Sequence, residues 1–432
     1  MNSTPDSIHW THTATPAEMY PLLKTHEKAD VIVIGGGLTG CRTALGLADA
    51  GLRVIVLEER DIGWGASGRS GGQCNPVWRE TPDELRARFG VPAADLLVQT
   101  TLTAAHDLFA DISRFGIECD PVQNGWVQAA HTRKARSRLK ILSAGWKQAG
   151  ADIDIIEGDD VEAICGSPEY QFALFHHAGG NVQPLSLTRG YASSATARGA
   201  TIYCGERVQA LTRNNGAWTA VTQSGSVSAE QVVIATNAYT NNGLWPGLQQ
   251  TFFPLVSISL ATAPLSEEQK KSVLPNRVTI SDTRLAIYYA RYDRDDRLIF
   301  GCVGSSDHVK TLGGHKRLQD GLHTVFPQLR HIGIERHWAG RIAVTPEMMP
   351  RIYEPAAGVT AALGFSGRGI AMTSVMGRAL TQKILGGAEH SLPFPVQAIN
   401  SVPLHRPLKS LIPLAAPAMS LKDKIDRALG GI

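Results

Sequence analysis

The sequence lacks the cysteine pattern of a disulfide-stabilised or zinc-binding protein. Its six cysteines (Cys41, Cys74, Cys119, Cys165, Cys204 and Cys302) are far apart and form no CxxC pair and no His–Cys cluster. We therefore predict no metal site and no disulfide framework, because this spacing is typical of reduced thiols in a cytoplasmic enzyme.

The sequence also lacks a strong charge excess, a long apolar run and a signal peptide. The formal net charge is +3 over 432 residues, and no basic run is interleaved with aromatic residues, which argues against a nucleic-acid partner. No apolar run approaches the ~20 residues of a membrane span, and residues 1–20 lack a charged head followed by an apolar block. We expect a cytoplasmic globular protein with no membrane span, long enough for two domains.

A dinucleotide-binding motif is present near the N-terminus. The apolar run Val31–Ile34 predicts a buried parallel strand, and it leads into glycines that match G-x-G-x-x-G at Gly35, Gly37 and Gly40. A small-residue helix and a second strand, which ends at Glu58, complete the unit. Gly35 would make the tight turn, Gly37 would let backbone approach a diphosphate, and Gly40 would allow close helix–strand packing.

Glu58 lies 18 residues after Gly40, where an acidic side chain accepts hydrogen bonds from an adenosine ribose. A glutamate here argues against NADP, for which an arginine usually binds the 2′-phosphate. The motif is compatible with both NAD and FAD.

The glycine-rich stretch GWGASGRSGGQCN (63–75) follows this unit, where an NAD enzyme would typically continue into another helix. Glycine is favoured where backbone must approach another group very closely. The stretch therefore favours an extended cofactor that continues past the diphosphate; the alternative is a flexible surface loop.

Together these motifs resemble the D-amino-acid oxidase-type FAD oxidoreductases. The resemblance spans residues 28–395 and includes HHAGGNVQPLSL (176–187), VVIATNAYT (232–240), FPQL (326–329) and GFSGRGIAM (364–372). It implies an α/β, two-domain fold in which a Rossmann-like FAD-binding domain carries an inserted substrate domain of mixed β-sheet and helices. The expected FAD-binding domain is discontinuous (28–88, 184–247 and 338–392), with the substrate domain at 89–183 and 248–337 and extensions at 1–27 and 393–432. We expect the C-terminal extension to end in a short amphipathic helix docked on the body.

The resemblance also implies a set of cofactor contacts. These residues are Gly35, Gly37, Leu38, Thr39, Gly40, Glu58, Glu59, Gly65, Ala66, Ser67, Gly68, Gly71, Gly72, Gln73, Val208, Gly364, Gly367, Arg368, Gly369 and Ile370. The segment RIAVTPEMMPR, where some relatives attach the flavin through a cysteine, has none, so noncovalent FAD is expected.

The implied chemistry is oxidation of an amine C–N bond. A neutral amine would give its α hydrogen to flavin N5 as hydride, the imine would hydrolyse to an aldehyde, and O2 would reoxidise the flavin to give H2O2. The helix that follows GFSGRG would stabilise the negative charge that develops on the flavin. The candidate catalytic residues are Tyr289, Arg291, Trp338 and Arg368; Tyr289 and Arg291 should share one face of a strand, with Tyr288 on the other.

Three departures from the sarcosine-oxidase branch of the family bear on the substrate. A lysine that pairs with the substrate carboxylate there is matched by Ala371, the oxygen-activating lysine by Ile299, and a histidine by Val303. These changes favour a polyamine conjugate such as gamma-glutamylputrescine as the small-molecule substrate. Alternatives are an oxidase or dehydrogenase of a secondary amino acid or opine and, from another class, a flavin-containing RNA-modification module.

Overall fold

The computed structural model describes residues 8–241 and 243–431. Within these residues the helices, in chain order, are α1 (His9–Thr13), α2 (Leu38–Asp49), α3 (Pro82–Phe89), α4 (Val91–Phe115), α5 (Arg133–Gln148), α6 (Asp159–Cys165), α7 (Pro184–Thr196), α8 (Glu267–Ser272), α9 (Gly314–Val325), α10 (Gly369–Ile384), α11 (His405–Ser410) and α12 (Ile412–Gly430).

The strands of the same residues form two large and two small sheets. In chain order they are β1 (His26–Lys28), β2 (Val31–Ile34), β3 (Val54–Glu58), β4 (Gln73–Cys74), β5 (Trp126–Ala129), β6 (Ile153–Glu157), β7 (Phe172–His176), β8 (Gly180–Asn181), β9 (Thr201–Cys204), β10 (Ala210–Asn214), β11 (Ala217–Val221), β12 (Ser226–Ala229), β13 (Gln231–Ile234), β14 (Phe253–Pro264), β15 (Thr279–Asp282), β16 (Tyr289–Tyr292), β17 (Arg297–Gly304), β18 (Ile334–Val344), β19 (Arg351–Ala356), β20 (Val359–Leu363) and β21 (Val396–Gln397).

The first large sheet contains the predicted strand–helix–strand unit. Its strand order is β21-β19-β20-β13-β2-β3-β9, and β2 and β3 are parallel neighbours with Val31 opposite Val54. All four residues of β2 are buried, as expected for a strand covered on both faces. On one face α2 packs against α7 and α10, and on the other lies a second core shared with the small sheet β1-β12-β11-β10.

The second large sheet is mostly antiparallel, with the order β18-β14-β17-β16-β15-β5-β7-β6. The segment DRDD (293–296) joins β16 to β17, which pair antiparallel with Tyr289 opposite Gly301. The predicted α/β fold, with a Rossmann-like unit and a second part built on a mixed β-sheet with helices, is confirmed. The domain boundaries themselves stay a prediction; β18 pairs with β14 from Ile334 to Val344, so a boundary at residue 338 would cut this strand.

The C-terminal extension is more extensively helical than predicted. The amphipathic helix expected at residues 420–429 is part of α12, which begins at Ile412 and carries Pro417 in its interior. Among the described residues, no helix combines the length and apolar character needed to cross a bilayer.

Candidate active site

A cavity of about 960 Å³ lies where the two large sheets meet. Its lining includes the turns after β2 and β3, the glycine-rich stretch, the start of α10 and side chains of the eight-stranded sheet. Most of the predicted cofactor contacts therefore lie along one continuous space.

The first glycine motif forms one end of this cavity. Gly37 caps α2, the Leu38 N–H donates to Ser67 Oγ over 2.9 Å, and Gly37, Leu38 and Thr39 line the cavity. Gly35 has φ +109°, a conformation that favours glycine. Gly40 lies beneath the turn instead of lining the cavity, and a Cβ there would stand 2.0 Å from the Gly35 carbonyl oxygen.

Glu58 reaches the same end of the cavity from β3. Its two carboxylate oxygens accept hydrogen bonds from the backbone N–H groups of Gly36 (2.6 Å) and Arg60 (2.8 Å). Burial raises the pKa of Glu58, and these two hydrogen bonds oppose the rise. Glu59 and Val208 line the cavity beside it. The predicted ribose contact of Glu58 stays a prediction.

The glycine-rich stretch runs along the cavity. Gly65, Ala66, Ser67, Gly71, Gly72 and Gln73 all line it. Gln73 Nε2 donates to the carbonyl oxygens of Ile280 and Ala290, which ties the stretch to the eight-stranded sheet. Gly68 is buried behind the loop, where a Cβ would stand 2.3 Å from the Gly63 carbonyl oxygen.

The N-terminus of α10 opens onto the other end. Gly367, Arg368, Gly369 and Ile370 line the cavity there, and the sixteen-residue helix begins at Gly369. Unpaired N–H groups at a helix N-terminus stabilise nearby negative charge. Gly364, a predicted contact, is absent from the described lining residues; its N–H donates to Asn237 Oδ1 over 3.0 Å.

Arg368 is a buried cation without a carboxylate partner among the described residues. Its side chain lies over the Trp126 ring with the guanidinium carbon 5.5 Å from the ring centre, and its buried Nη1 finds no hydrogen-bond partner in that part of the chain. Burial, reinforced by the nearby Arg79, lowers the pKa of Arg368 to about 9. Arg79 lines the same cavity and is a second cation close to Arg368.

Tyr289 lines the cavity from β16. Its hydroxyl lies 2.9 Å from Ser257 Oγ and 2.8 Å from Ser259 Oγ. Burial raises the pKa of Tyr289, and the two serine hydrogen bonds oppose the rise. The phenol is therefore neutral and held in one orientation.

Arg291 and Trp338 do not take the positions expected of catalytic contacts. Both side chains are almost fully buried, and neither is among the described residues that line the cavity. Arg291 does share the face of Tyr289, as predicted, but the sheet turns it beneath the glycine-rich stretch, where its Nε donates to the Gly71 carbonyl oxygen. Tyr288 lies on the opposite face against Phe300, in agreement with the predicted alternation.

The three residues that differ from the sarcosine-oxidase branch, Ile299, Val303 and Ala371, lie in different surroundings in the structure. Val303 lines the cavity, whereas Ile299 packs with Trp338 in a buried cluster. Ala371, in the first turn of α10, is buried in the core. Neither Ile299 nor Ala371 is among the described residues that face the cavity.

Several lining residues were not predicted from the sequence. They are Asn75 at the end of the glycine-rich stretch, Arg79 shortly after it, Gln128 on β5, Ser257 on β14 and Met419 on α12. NPVWR follows the recognised motif directly, and its polar residues were a usable signal. No local pattern marked the other three, because only tertiary packing brings them to the cavity.

The residues present fit FAD. The cavity has a volume of about 960 Å³, residues at the N-termini of α2 and α10 line it, and glycines permit a close backbone approach along its wall. A Cβ on Gly37 would stand 2.9 Å from Ser67 Oγ, and one on Gly71 would stand 2.8 Å from the Tyr289 ring. Larger residues would narrow the space at both points.

The profile of the family described as "DAO: FAD dependent oxidoreductase" matches residues 30–383. The chain belongs to this family. It is 31% identical over 396 residues to the probable oxidoreductase OrdL of Haemophilus influenzae, covering 91% of each chain. It is 29% identical over 391 residues to the gamma-glutamylputrescine oxidoreductase of Escherichia coli, covering 89% of this chain and 90% of that one.

Among solved structures, glycine oxidase from Geobacillus kaustophilus superposes with a TM-score of 0.70 at 21% identity, covering 84% of this chain and 96% of that chain. This likeness confirms the fold. The family membership and the sequence relatives identify the protein as an FAD-dependent amine or amino-acid oxidoreductase.

Proposed function

We propose that this DAO-family enzyme oxidises a C–N bond of an amine that also carries a carboxylate, and that the substrate is a polyamine conjugate of the gamma-glutamylputrescine type. The observation that carries the proposal is Arg368, whose buried Nη1 has no partner among the described residues and which faces the cavity together with Arg79. A buried cation without a counter-ion is costly, so a substrate carboxylate would be stabilised there.

The similarity to the E. coli gamma-glutamylputrescine oxidoreductase supports this substrate class. A glutamyl conjugate of a diamine has an α-carboxylate at one end and a primary amine at the other, joined by an apolar chain. The cavity offers matching surfaces: arginines for the carboxylate, and the Tyr289 ring and Val303 for the chain. An aromatic ring also attracts an alkylammonium group before it loses its proton.

When bound, FAD would accept the two electrons and one hydrogen of the amine, and the residues of this chain would bind and orient. Tyr289, fixed by two serines, would position the carbon that is oxidised, and the α10 N-terminus would stabilise developing negative charge. The released imine would hydrolyse to an aldehyde and ammonia. We propose O2 as the electron acceptor, with H2O2 as its product.

A second candidate is the oxidation of a small amino acid such as sarcosine or pipecolate. The same arginines favour it, because they could hold an amino-acid carboxylate directly. In such an amino acid only one carbon separates the carboxylate from the reacting nitrogen. In a glutamyl conjugate of a diamine these two groups lie at opposite ends of a long chain.

The test is anaerobic mixing of the purified holoenzyme with a panel of amines while flavin absorbance near ~450 nm is recorded. Gamma-glutamylputrescine and putrescine form the matched pair, since they share the diamine but differ in the carboxylate. We expect rapid bleaching by the conjugate, much slower bleaching by putrescine, and recovery in air with H2O2 release.

Bleaching by sarcosine, glycine or pipecolate alone would establish the second candidate. Equal rates for the conjugate and putrescine would contradict a carboxylate site. Bleaching that air does not reverse would identify a dehydrogenase with another acceptor.

A further inference from the structure

Three consecutive carbonyl groups of the glycine-rich stretch are held by buried side chains from distant parts of the chain. The Arg69 carbonyl oxygen accepts from Trp338 Nε1, the Ser70 carbonyl oxygen from Trp10 Nε1, and the Gly71 carbonyl oxygen from Arg291 Nε, each over 2.8 Å. Two of these donors were expected to contact substrate; instead they support the backbone that lines the cavity.

The donors form one buried cluster behind the loop. The Arg291 guanidinium carbon lies 4.4 Å from the centre of the Trp10 ring, and the rings of Trp10 and Trp338 meet edge to face at 5.9 Å. His9 stacks on Trp338 and lies 2.8 Å from an Asp293 carboxylate oxygen. This cluster includes α1, which precedes the start of the family match at residue 30.

Peptide geometry transmits this restraint to the cavity. The described residues contain no cis peptide bond, so a carbonyl held on one side directs the N–H of the next residue to the other. Trp10 thereby orients the Gly71 N–H. Arg291 orients the Gly72 N–H, which donates to Ser70 Oγ over 3.4 Å. Both glycines line the cavity, and the Gly71 Cα faces the Tyr289 ring so closely that a Cβ would stand 2.8 Å from it.

We propose that Trp10 is a positioning residue for the cofactor: together with Arg291 and Trp338, it fixes the peptide groups of Ser70 and Gly71 so that the Gly71 N–H faces the flavin end of the FAD site. None of the three side chains is among the described residues that line the cavity. The proposal rests on family membership and on the geometry of the loop, not on the identity of the amine.

The test is Trp10→Phe in the full chain, which keeps an aromatic ring beside Arg291 and removes the N–H donor. We expect the dissociation constant of FAD, measured by quenching of flavin fluorescence on titration into apoprotein, to rise about 5- to 10-fold, the equivalent of one neutral hydrogen bond. We also expect the visible absorption bands of the bound flavin to shift.

The matched control is Trp218→Phe. Trp218 is also buried and its Nε1 also donates to a backbone carbonyl, that of Ala357 at 3.1 Å, but neither residue is among those described as lining the cavity. This variant should lose stability while its FAD affinity and flavin spectrum stay unchanged. If the two variants lose stability alike and both keep wild-type FAD affinity and spectrum, Trp10 has only a structural role and the proposal is wrong.

Trp338→Phe gives an independent check, because it removes the donor to the neighbouring Arg69 carbonyl and leaves α1 intact. If Trp10→Phe does not fold, this variant decides: a weaker FAD affinity with shifted bands supports the proposal, and an unchanged affinity and spectrum overturns it. The substrate panel described above is not used in this test, so a different amine would leave its outcome unaffected.

Discussion

At Arg368 the enzyme holds a guanidinium in a position where burial disfavours its charge. The Trp126 ring covers it, and the nearby Arg79 adds repulsion, so the charged form is stabilised when an anion enters. The same surroundings make this arginine sensitive to both substitution and pH.

Arg368→Gln should raise the KM for gamma-glutamylputrescine about 10- to 100-fold, because a hydrogen bond to a charged group contributes about 1.5–3 kcal/mol. The KM for putrescine, which has no carboxylate, should change little. Arg378→Gln is the matched control: Arg378 lies on α10, the helix that begins directly after Arg368, but it pairs with Asp107 at 2.7 Å and is not among the described lining residues. Steady-state kinetics with both amines decide, and an equal rise in both KM values would contradict carboxylate binding by Arg368.

Substrate preference should depend on pH in the alkaline range. Arg368 has a pKa lowered to about 9, so it is charged below that pH and loses its charge above it. The ratio of kcat/KM for gamma-glutamylputrescine to kcat/KM for putrescine should therefore fall as pH rises through about 9. The ratio is used because both substrates carry the same reacting amine, so the effect of its ionisation largely cancels. In Arg368→Gln this fall should disappear; a fall of the same size in the variant would assign it to the substrate.

Gly40 packs so closely beneath the turn at Gly35 that there is no room for a side chain. Gly40→Ala would place a methyl group 2.0 Å from the Gly35 carbonyl oxygen, so the turn below the diphosphate site would have to move. We expect purified Gly40→Ala to contain little FAD and to melt at a lower temperature. Gly430→Ala has open space around its new Cβ and should keep full FAD content, measured by absorbance after purification.

At the scale of elements, α12 contributes to the wall of the cavity, on the side where we propose that the substrate binds. Asp423 is buried, and its carboxylate oxygens accept from the N–H groups of Leu285 (2.8 Å) and Ala286 (2.9 Å). Leu285 and Met419 line the cavity, while Arg427 Nη2 donates to Glu169 Oε2 over 2.8 Å. A helix outside residues 30–383 of the family match thus holds a lining segment in place.

Asp423→Ala should loosen both α12 and the segment at residue 285, because two buried N–H groups lose their acceptors. We expect the KM for the amine to rise about 3- to 10-fold with little change in FAD affinity, since α12 lies away from the glycine motifs. Asp426→Ala removes an exposed pair with Lys422 on the same helix and should leave KM unchanged. A loss of bound FAD in Asp423→Ala would contradict this assignment of α12 to the substrate side.

The elements that could be predicted from sequence are those whose signals are local. The sequence predicted β2, α2 and β3 from a four-residue apolar run, three glycines at fixed spacing and an acidic residue. Each of these signals lies within a short stretch of the chain and can be seen without knowledge of the tertiary packing. Trp338 and Arg291 looked like substrate contacts for the same reason: strand alternation gives the face of a side chain but not what covers it. Trp10 lies behind the glycine-rich stretch and Met419 lies in the cavity wall. Both are placed there because α1 and α12 pack against the rest of the protein, and no periodicity in the sequence predicts that packing.

At the scale of the whole molecule, the eight-stranded sheet contains a buried histidine that links folding to pH. His176 lies at the end of β7, opposite Trp126 of β5 and Ile153 of β6, and its Nδ1 accepts from the Ala178 N–H over 3.3 Å. Burial lowers the pKa of His176 to about 4 from an ordinary value of 6.5. The folded protein therefore keeps this ring neutral at pH values where the unfolded chain would protonate it.

The sign of the effect follows from proton binding. Between about pH 6.5 and 4 the unfolded chain binds more protons at this position than the folded protein, so the free energy of unfolding should decrease as pH falls through this window. A shift of this size corresponds to at most about 3 kcal/mol. Above pH 6.5 both states are neutral and His176 contributes no pH dependence.

His176→Asn removes the titrating ring and keeps an acceptor for the Ala178 N–H. Urea unfolding of the FAD-loaded protein at several pH values should show a shallower loss of stability between pH 6.5 and 4 in this variant than in the wild type. His331→Asn, at an exposed position, should follow the wild-type curve. If His176→Asn and the wild type lose stability in parallel, the acid sensitivity comes from other groups, and the buried end of β7 tolerates a charged ring.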